Sequence, residues 1–277
     1  MIEPAKVRVQ DLVETLFGLY ADGGPLPVSA LVSLLGAAGI EAGAARATVS
    51  RLKSKGVLVR ESARQPTYRM SAEHSSFHGG DARVFAPERA DPDDPWTLVV
   101  FSVPEAERHR RYRLRSVLAG SGFGFVAGGV AIAPSTAAAT GRERLAAHGL
   151  TSYAEFFAAL PEGLAEKVSQ WWDLDGLHRR YTDFLAEYRP VLSRWKRRAA
   201  RLDACVAGDE TSRLAFGDHL RLVTAWREFP YTDPNIPLEF LPRGWLAPRA
   251  KQLFWDLDGQ LAEPARGFAS RALEQNR

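Results

Sequence analysis

The groups able to do chemistry in this 277-residue chain include six histidines and one cysteine, and their spacing decides what that chemistry is. Cys205 lies between a basic helical stretch and Gly208 with no identifiable histidine–acid partnership, so a thiol nucleophile is not indicated. His74 and His78 have the i,i+4 spacing of a helical metal pair, but Ser75-Ser76 and Gly79-Gly80 interrupt any helix there. Asp91, Asp93 and Asp94 sit between Pro92 and Pro95 with no companion ligands, the composition of a solvated loop. An enzyme would need a convergent acid, base or metal cluster, and none has diagnostic spacing. The sequence therefore predicts no catalytic residue, no metal and no cofactor. The alternative, a metal-dependent nuclease or other enzyme with an appended DNA-binding domain, would have to rest on acids such as Asp173 and Asp175.

The pattern that carries chemistry is cationic. Between residues 41 and 69, Arg46, Arg51, Lys53, Lys55, Arg60, Arg64 and Arg69 face only Glu41 and Glu61. Such a patch attracts phosphates, although the chain as a whole, at a formal net charge of +3, is only mildly basic. On a wheel of about 100° per residue, Ala45, Val49 and Leu52 form the inner side of a helix. Gly43, Ala47, Ser50, Arg51 and Ser54 lie opposite. Arg46 and Lys53 flank them on one side, Thr48 and Lys55 on the other. A face that is small in its middle and cationic at its margins can approach base edges while its margins meet phosphates. Arg51 and Arg46 have the reach and forked donors for a guanine edge, and Ala47 suits a thymine methyl. The chemistry expected is DNA recognition; a merely solvated helix is the competing reading.

Three helices must position that face. Val9, Leu12, Val13, Leu16, Phe17 and Tyr20 form one amphipathic stripe, stopped by Gly23-Gly24-Pro25. Val28, Leu31, Val32 and Leu35 repeat the pattern up to Gly36 or Gly39. The third run, 41–55, ends with Gly56 as its C-terminal cap. Val57–Arg60 and Thr67–Met70, around a polar turn, read as a β-hairpin. Helix-turn-helix plus hairpin is a winged helix-turn-helix, with Arg64 at the wing tip tracking a phosphate or entering a minor groove.

Composition bounds the rest. At 45% hydrophobic and 25% charged, the chain reads as a folded soluble protein of two or three domains. No apolar run reaches the roughly 18 residues that span a bilayer. The stretch Met1–Lys6 has no charged-then-apolar signal pattern, and a single cysteine allows no internal disulfide. A cytoplasmic protein with no membrane partner is expected.

Residues 73–95, rich in Gly, Pro and Asp, read as a linker. Trp96–Phe101 is an apolar, β-branched strand. Ser102, Pro104 and Glu105 cap a helix running to Leu118. Phe123–Ala127 and Val130–Ala133 bracket Gly128-Gly129 as a hairpin. A helix near Thr136–His148 and a strand near Ser152–Ala158 complete β-α-β-β-α-β, the ferredoxin-like order. His109-Arg110-Arg111-Tyr112-Arg113 is a second basic cluster, open to three readings: solvated face, auxiliary DNA contact or holder of an anionic effector. From Leu164 onward the chain is mainly helical. A long helix from Leu177 to Trp195 is expected to kink at Pro190, with further helices at Leu214–Glu228 and Pro248–Phe268. Trp171, Trp172, Trp195, Trp226, Trp245 and Trp255 crowd here. Packing accounts for most of them; alternatively several line a pocket for an aryl or acyl group. The candidate effector set is Trp172, Trp226 and Trp245, with Arg113, Arg227 and Arg243 able to meet an anion.

The stretch Ala45-Arg46-Ala47-Thr48-Val49-Ser50-Arg51-Leu52-Lys53-Ser54-Lys55-Gly56 resembles the recognition helix of the PaaX family, repressors of phenylacetic acid degradation operons. Trp96–Glu105 and Gly122-Phe123-Gly124 are similar to that family's central domain. Trp172-Asp173-Leu174-Asp175, Ala225-Trp226-Arg227 and Asp233-Pro234-Asn235-Ile236-Pro237-Leu238 are similar to its C-terminal part. Val57 and Val130 depart from the tryptophan of many relatives. The resemblance implies a central domain like the CRISPR-associated Cas2 proteins, serving as a dimerisation or effector platform. Cas2 proteins carry an aspartate where this chain has Ser102, which argues against nuclease chemistry. It further implies a homodimeric repressor, released from a palindromic double-stranded DNA operator by an acyl-CoA thioester such as phenylacetyl-CoA. The expected fold class is thus α+β and multidomain: winged helix-turn-helix (1–72), linker (73–95), ferredoxin-like domain (96–162) and helical C-terminal domain (163–277).

Overall fold

The first apolar stripe winds into helix α1 (Val9–Tyr20), which buries Leu12, Val13, Leu16 and Phe17 completely. Each such side chain contributes roughly 1.5–3 kcal/mol on leaving water. In the computed structural model, the described residues are 7–21, 23–62, 66–72, 74, 89–160, 162–200 and 209–276. The expected wing tip at Arg64, His78, most of the linker and Cys205 lie outside them. His74 lies within them and bonds to the Ser71 hydroxyl at 2.9 Å, a local contact.

The described residues form a mixed α+β protein whose contacts resolve into two compact units. The first comprises Met1–Asp81, Thr182–Trp226 and Pro248–Arg277. After α1 come a short strand β1 (Leu26–Pro27), α2 (Val28–Ala37) and α3 (Ala42–Ser54). Strands β2 (Leu58–Ser62) and β3 (Thr67–Met70) follow. β3 pairs antiparallel with both β1 and β2, so the expected hairpin is the larger part of a three-stranded sheet. α3 ends as anticipated: Lys55 caps it, and Gly56 takes a φ of +72°, which glycine adopts without steric cost.

The core of this unit is not confined to its N-terminal third. Phe216 and Leu220 of α8 (Asp209–Trp226), and Ala265, Ala269 and Ala272 of α10 (Ala247–Glu274), are buried in one cluster with Leu12, Phe17, Leu31 and Leu52. The helices expected over 163–277 contribute to both compact units. Helices α8 and α10 complete the core that α1, α2 and α3 begin. Helix α7 (Leu174–Ala199) runs continuously through Pro190, which lies on its exposed side. Its residues from Thr182 onward belong to this unit, where Trp195 donates its indole N–H to Asp218 of α8 at 2.7 Å.

The second unit comprises Ala82–Tyr181 and Arg227–Ala247. Its sheet is fully antiparallel, in the order β5 (Gly124–Ala127), β6 (Val130–Pro134), β4 (Trp96–Phe101), β7 (Ala154–Ala159). This is the strand order of the split β-α-β unit read from the sequence. The two crossovers begin as single 3₁₀ turns, Glu105–Glu107 and Ser135–Ala137, and continue as α4 (Arg108–Ala119) and α5 (Ala138–Ala147). Alternation along the strands sends Val99, Phe101, Phe123 and Ala131 into a core with Leu114 and Leu118 of α4 and Leu145 of α5. The other face receives α6 (Leu164–Trp171) and the turn Leu238–Phe240, with Trp96 between Trp172 and Phe240, and the short helix α9 (Phe229–Thr232) belongs to the same unit.

Candidate nucleic-acid interface

Helix α3 separates cleanly into an inner and an outer side. Ala45, Val49 and Leu52 are buried as the wheel requires, and Arg46, Ala47, Ser50, Arg51, Lys53, Ser54 and Lys55 are all exposed. Thr48 corrects the reading: expected on the outer flank, it is only 2% exposed. The reason is the width of the covered stripe. α3 packs against α1, α2 and β2, and three partners cover more of a helix than the narrow seam traced by Ala45, Val49 and Leu52. The Thr48 hydroxyl instead accepts a hydrogen bond from Nη2 of Arg51 at 3.0 Å. A buried threonine thus braces an exposed arginine of the outer face. The Ser54 hydroxyl donates back to the Arg51 carbonyl at 2.9 Å, so this side chain keeps a short profile along the helix.

The strands add cations of unequal strength. Arg60 is exposed and donates through Nε to the Ser62 carbonyl at 2.9 Å. Arg69 pairs with Glu61 at 2.9 Å, with both side chains about half exposed, so part of its field is cancelled. The positive field is therefore strongest along α3.

The candidate effector residues fall in both compact units. Trp226 belongs to the first unit, 3% exposed and stacked on Phe254 with centroids 4.7 Å apart. In the second unit, Trp172 lies against β5 and donates its indole N–H to the Gly122 carbonyl at 3.0 Å. A Cβ on Gly124 would stand 2.6 Å from the Trp172 ring, so the glycine is the seat for that indole. Trp245 packs edge-on to Tyr181, beside His178. Arg243 is exposed and Arg227 half-buried. Arg113 lies on α4, across the sheet from Trp172, and bonds through Nη2 to Nδ1 of His148 at 3.1 Å. Each of the three indoles has partners within its own unit. An open groove of about 460 Å³ between α5 and β7 is walled by Arg142, Leu145, Glu155 and Phe156, none of them anticipated.

Two polar constellations escaped the sequence altogether. In the first unit the Tyr20 hydroxyl lies 2.7 Å from Nδ1 of His219, and Nε2 of His219 lies 2.9 Å from Asp258. His219 is wholly buried, and one neutral tautomer satisfies both contacts. Burial pushes the Tyr20 hydroxyl far above its ordinary pKa, with the Arg266 charge pulling the other way. In the second unit Asp233, 5% exposed, receives Tyr181 at 2.7 Å and Arg89 at 3.1 Å, and its other oxygen accepts the Asn235 N–H at 2.7 Å. Burial first, and the Asp233 charge second, raise the Tyr181 hydroxyl well above its usual range. No sequence signal joins positions about 200 residues apart; only the Asp233-Pro234-Asn235 run stood out beforehand. Among the described residues, no three His, Cys, Asp or Glu side chains gather as a metal site, and no helix is long and apolar enough to cross a membrane.

Comparison with known proteins matches the chain in three consecutive stretches. Residues 3–74 match the family model of the PaaX-like protein, 89–170 the PaaX protein central Cas2-like domain, and 172–271 the PaaX-like protein C-terminal domain. The chain is 25% identical to the transcriptional repressor PaaX of Escherichia coli (strain K12), over 97% of its own length and 85% of the relative's. An uncharacterized protein from Mycobacterium tuberculosis shares the fold, at a TM-score of 0.56 and 20% identity, over 95% of this chain and 99% of that one. With consecutive PaaX models spanning nearly its whole length, in order, the chain belongs to the PaaX family.

Proposed function

We propose that the chain is a transcriptional repressor whose residues 7–72 form a winged helix-turn-helix, with α3 lying in the major groove of an operator. One observation carries the reading: the exposed side of α3 presents Arg46, Ala47, Ser50, Arg51, Lys53 and Ser54, while Ala45, Thr48, Val49 and Leu52 are buried. The E. coli relative's name, transcriptional repressor, supports the same role. Arg51, with Nη2 on Thr48, holds its guanidinium in a limited range of positions, which lowers the entropy lost when a forked donor meets a guanine edge. Arg60, Arg69 and Arg64 supply phosphate contacts at the wing. A homodimer would present two copies of α3 to successive grooves about 34 Å apart, which calls for a two-fold-symmetric operator. An acyl-CoA effector acts by favouring a dimer geometry that breaks this spacing. A cytoplasmic location accords with this role.

The test is footprinting upstream of the protein's own gene, followed by titration of CoA thioesters against the complex. Arg51→Ala should weaken operator binding by roughly 1–3 kcal/mol and leave the fold unchanged. Wild-type operator affinity in that variant would remove α3 as the reading helix.

A further inference from the structure

The second basic cluster, on α4, has an architecture that its composition did not reveal. Leu114, Val117 and Leu118 face the sheet. At about 100° per residue, the outward strip is then Tyr112, Ser116, His109 and Ala119, with Arg108 and Arg115 on one shoulder and Arg113 on the other. Arg108, His109, Tyr112, Arg113 and Ser116 are all exposed, Tyr112 at 74%. The remaining arginines of the helix are spent locally. Arg110 pairs with Glu107 at 3.2 Å, and Arg111 pairs with Glu105 at 3.1 Å while donating to the Val103 carbonyl. Both acids of the segment are thereby neutralised. Arg108 and Arg113 have no acidic partner among the described residues, and Arg115 lies over the Phe125 ring at 3.8 Å with no acidic partner there either. Three cations and an exposed tyrosine thus remain on one outward surface.

We propose that this face of α4 is a second DNA-contact surface, which binds the phosphate backbone without reading sequence. Two features favour nucleic acid over a small anion. The cations are spread along a convex helix of 12 residues instead of converging on one point, and a repeating polyanion meets spread charges better than a single carboxylate does. They also stand on both sides of an exposed aromatic ring, a surface that accepts a sugar–phosphate edge in either direction. The Arg113–His148 bond braces one of them, so it meets a phosphate with little loss of side-chain freedom. The inference rests on the DNA-binding reading above. It adds to it that affinity is shared between a sequence-reading helix and a helix of the central domain that senses only charge.

The two claims separate in one experiment. Fluorescence anisotropy with the operator duplex and with a random duplex of equal length is measured for the full chain from about 0.05 to 0.3 M salt. Each lost phosphate contact removes about 0.9 from the slope of log affinity against log salt, which amounts to about fivefold in affinity near 0.15 M. Arg108→Gln/Arg113→Gln should therefore lower affinity for both duplexes alike by about thirtyfold, and flatten both slopes by close to 2. Arg108→Lys/Arg113→Lys keeps the charge and should restore both, even if the glutamine variant is less well folded. Wild-type affinity and slope in the glutamine variant would overturn the proposal; so would a loss confined to the operator, or a loss that lysine fails to rescue. If the wild type itself preferred neither duplex, the reading of α3 would fail, while the α4 prediction would still be decided on the random duplex.

Discussion

Removing the wholly buried His219 tests whether the C-terminal helices are part of the folding unit that carries α3. His219 joins Tyr20 of α1 at 2.7 Å to Asp258 of α10 at 2.9 Å, from its own position on α8. Tyr20→Phe deletes one hydrogen bond and strands a buried ring nitrogen, at a cost of about 2 kcal/mol. His219→Leu, of similar volume, deletes both bonds, orphans the Tyr20 hydroxyl and leaves Asp258 without its donor. That cost is about 3–4 kcal/mol. The Tyr20→Phe/His219→Leu double variant, by contrast, leaves neither member of the first pair unsatisfied, since replacing both partners by apolar groups is far cheaper than removing one. It should cost about 3 kcal/mol against an additive sum of about 5–6, a coupling of roughly 2–3. The assay is urea unfolding followed by circular dichroism, with operator binding measured across the same transition. Stability is read from midpoints at constant slope. Costs that add to within about 0.5 kcal/mol would refute the bond. Operator binding that survives beyond the unfolding of the C-terminal helices would refute the shared core.

Two further outcomes follow from the same geometry. Thr48→Val should leave stability within about 1 kcal/mol and yet lower operator affinity more than random-duplex affinity, because it frees Arg51 without removing a phosphate contact; anisotropy with both duplexes reads this directly. The buried tyrosines give a pH signature. Tyr20 and Tyr181 have hydroxyl pKa values raised in the fold, so the stability they support is intact below their unfolded value near pH 10 and is lost as pH rises through it. Each should steepen alkaline destabilisation by about 1.4 kcal/mol per pH unit above that point. Urea midpoints from pH 9 to 11 should fall less steeply in Tyr20→Phe.

The sequence by itself determined the local elements. Hydrophobic period, turn residues and the glycine after Lys55 located α1 to α3, and strand alternation around Gly128-Gly129 located the sheet of the second unit, because these are near-neighbour constraints. The same reasoning identified most of the outer face of α3. It misplaced Thr48, since a helical wheel knows the angle of a residue but not how many neighbours cover its flank. Only the tertiary structure decided the partition of the C-terminal third. Phe216 and Leu220 are buried because they meet Leu12 and Phe17, and no periodicity within α8 could say whether such an apolar stripe packs on a neighbour in sequence or on a helix about 200 residues away. The same holds for the tryptophans: the sequence left packing and a ligand pocket both open, while in the structure Trp226 stacks on Phe254 and Trp172 lies against Gly124. Period fixes which side of an element turns inward. What it turns toward depends on the surfaces the rest of the chain leaves uncovered.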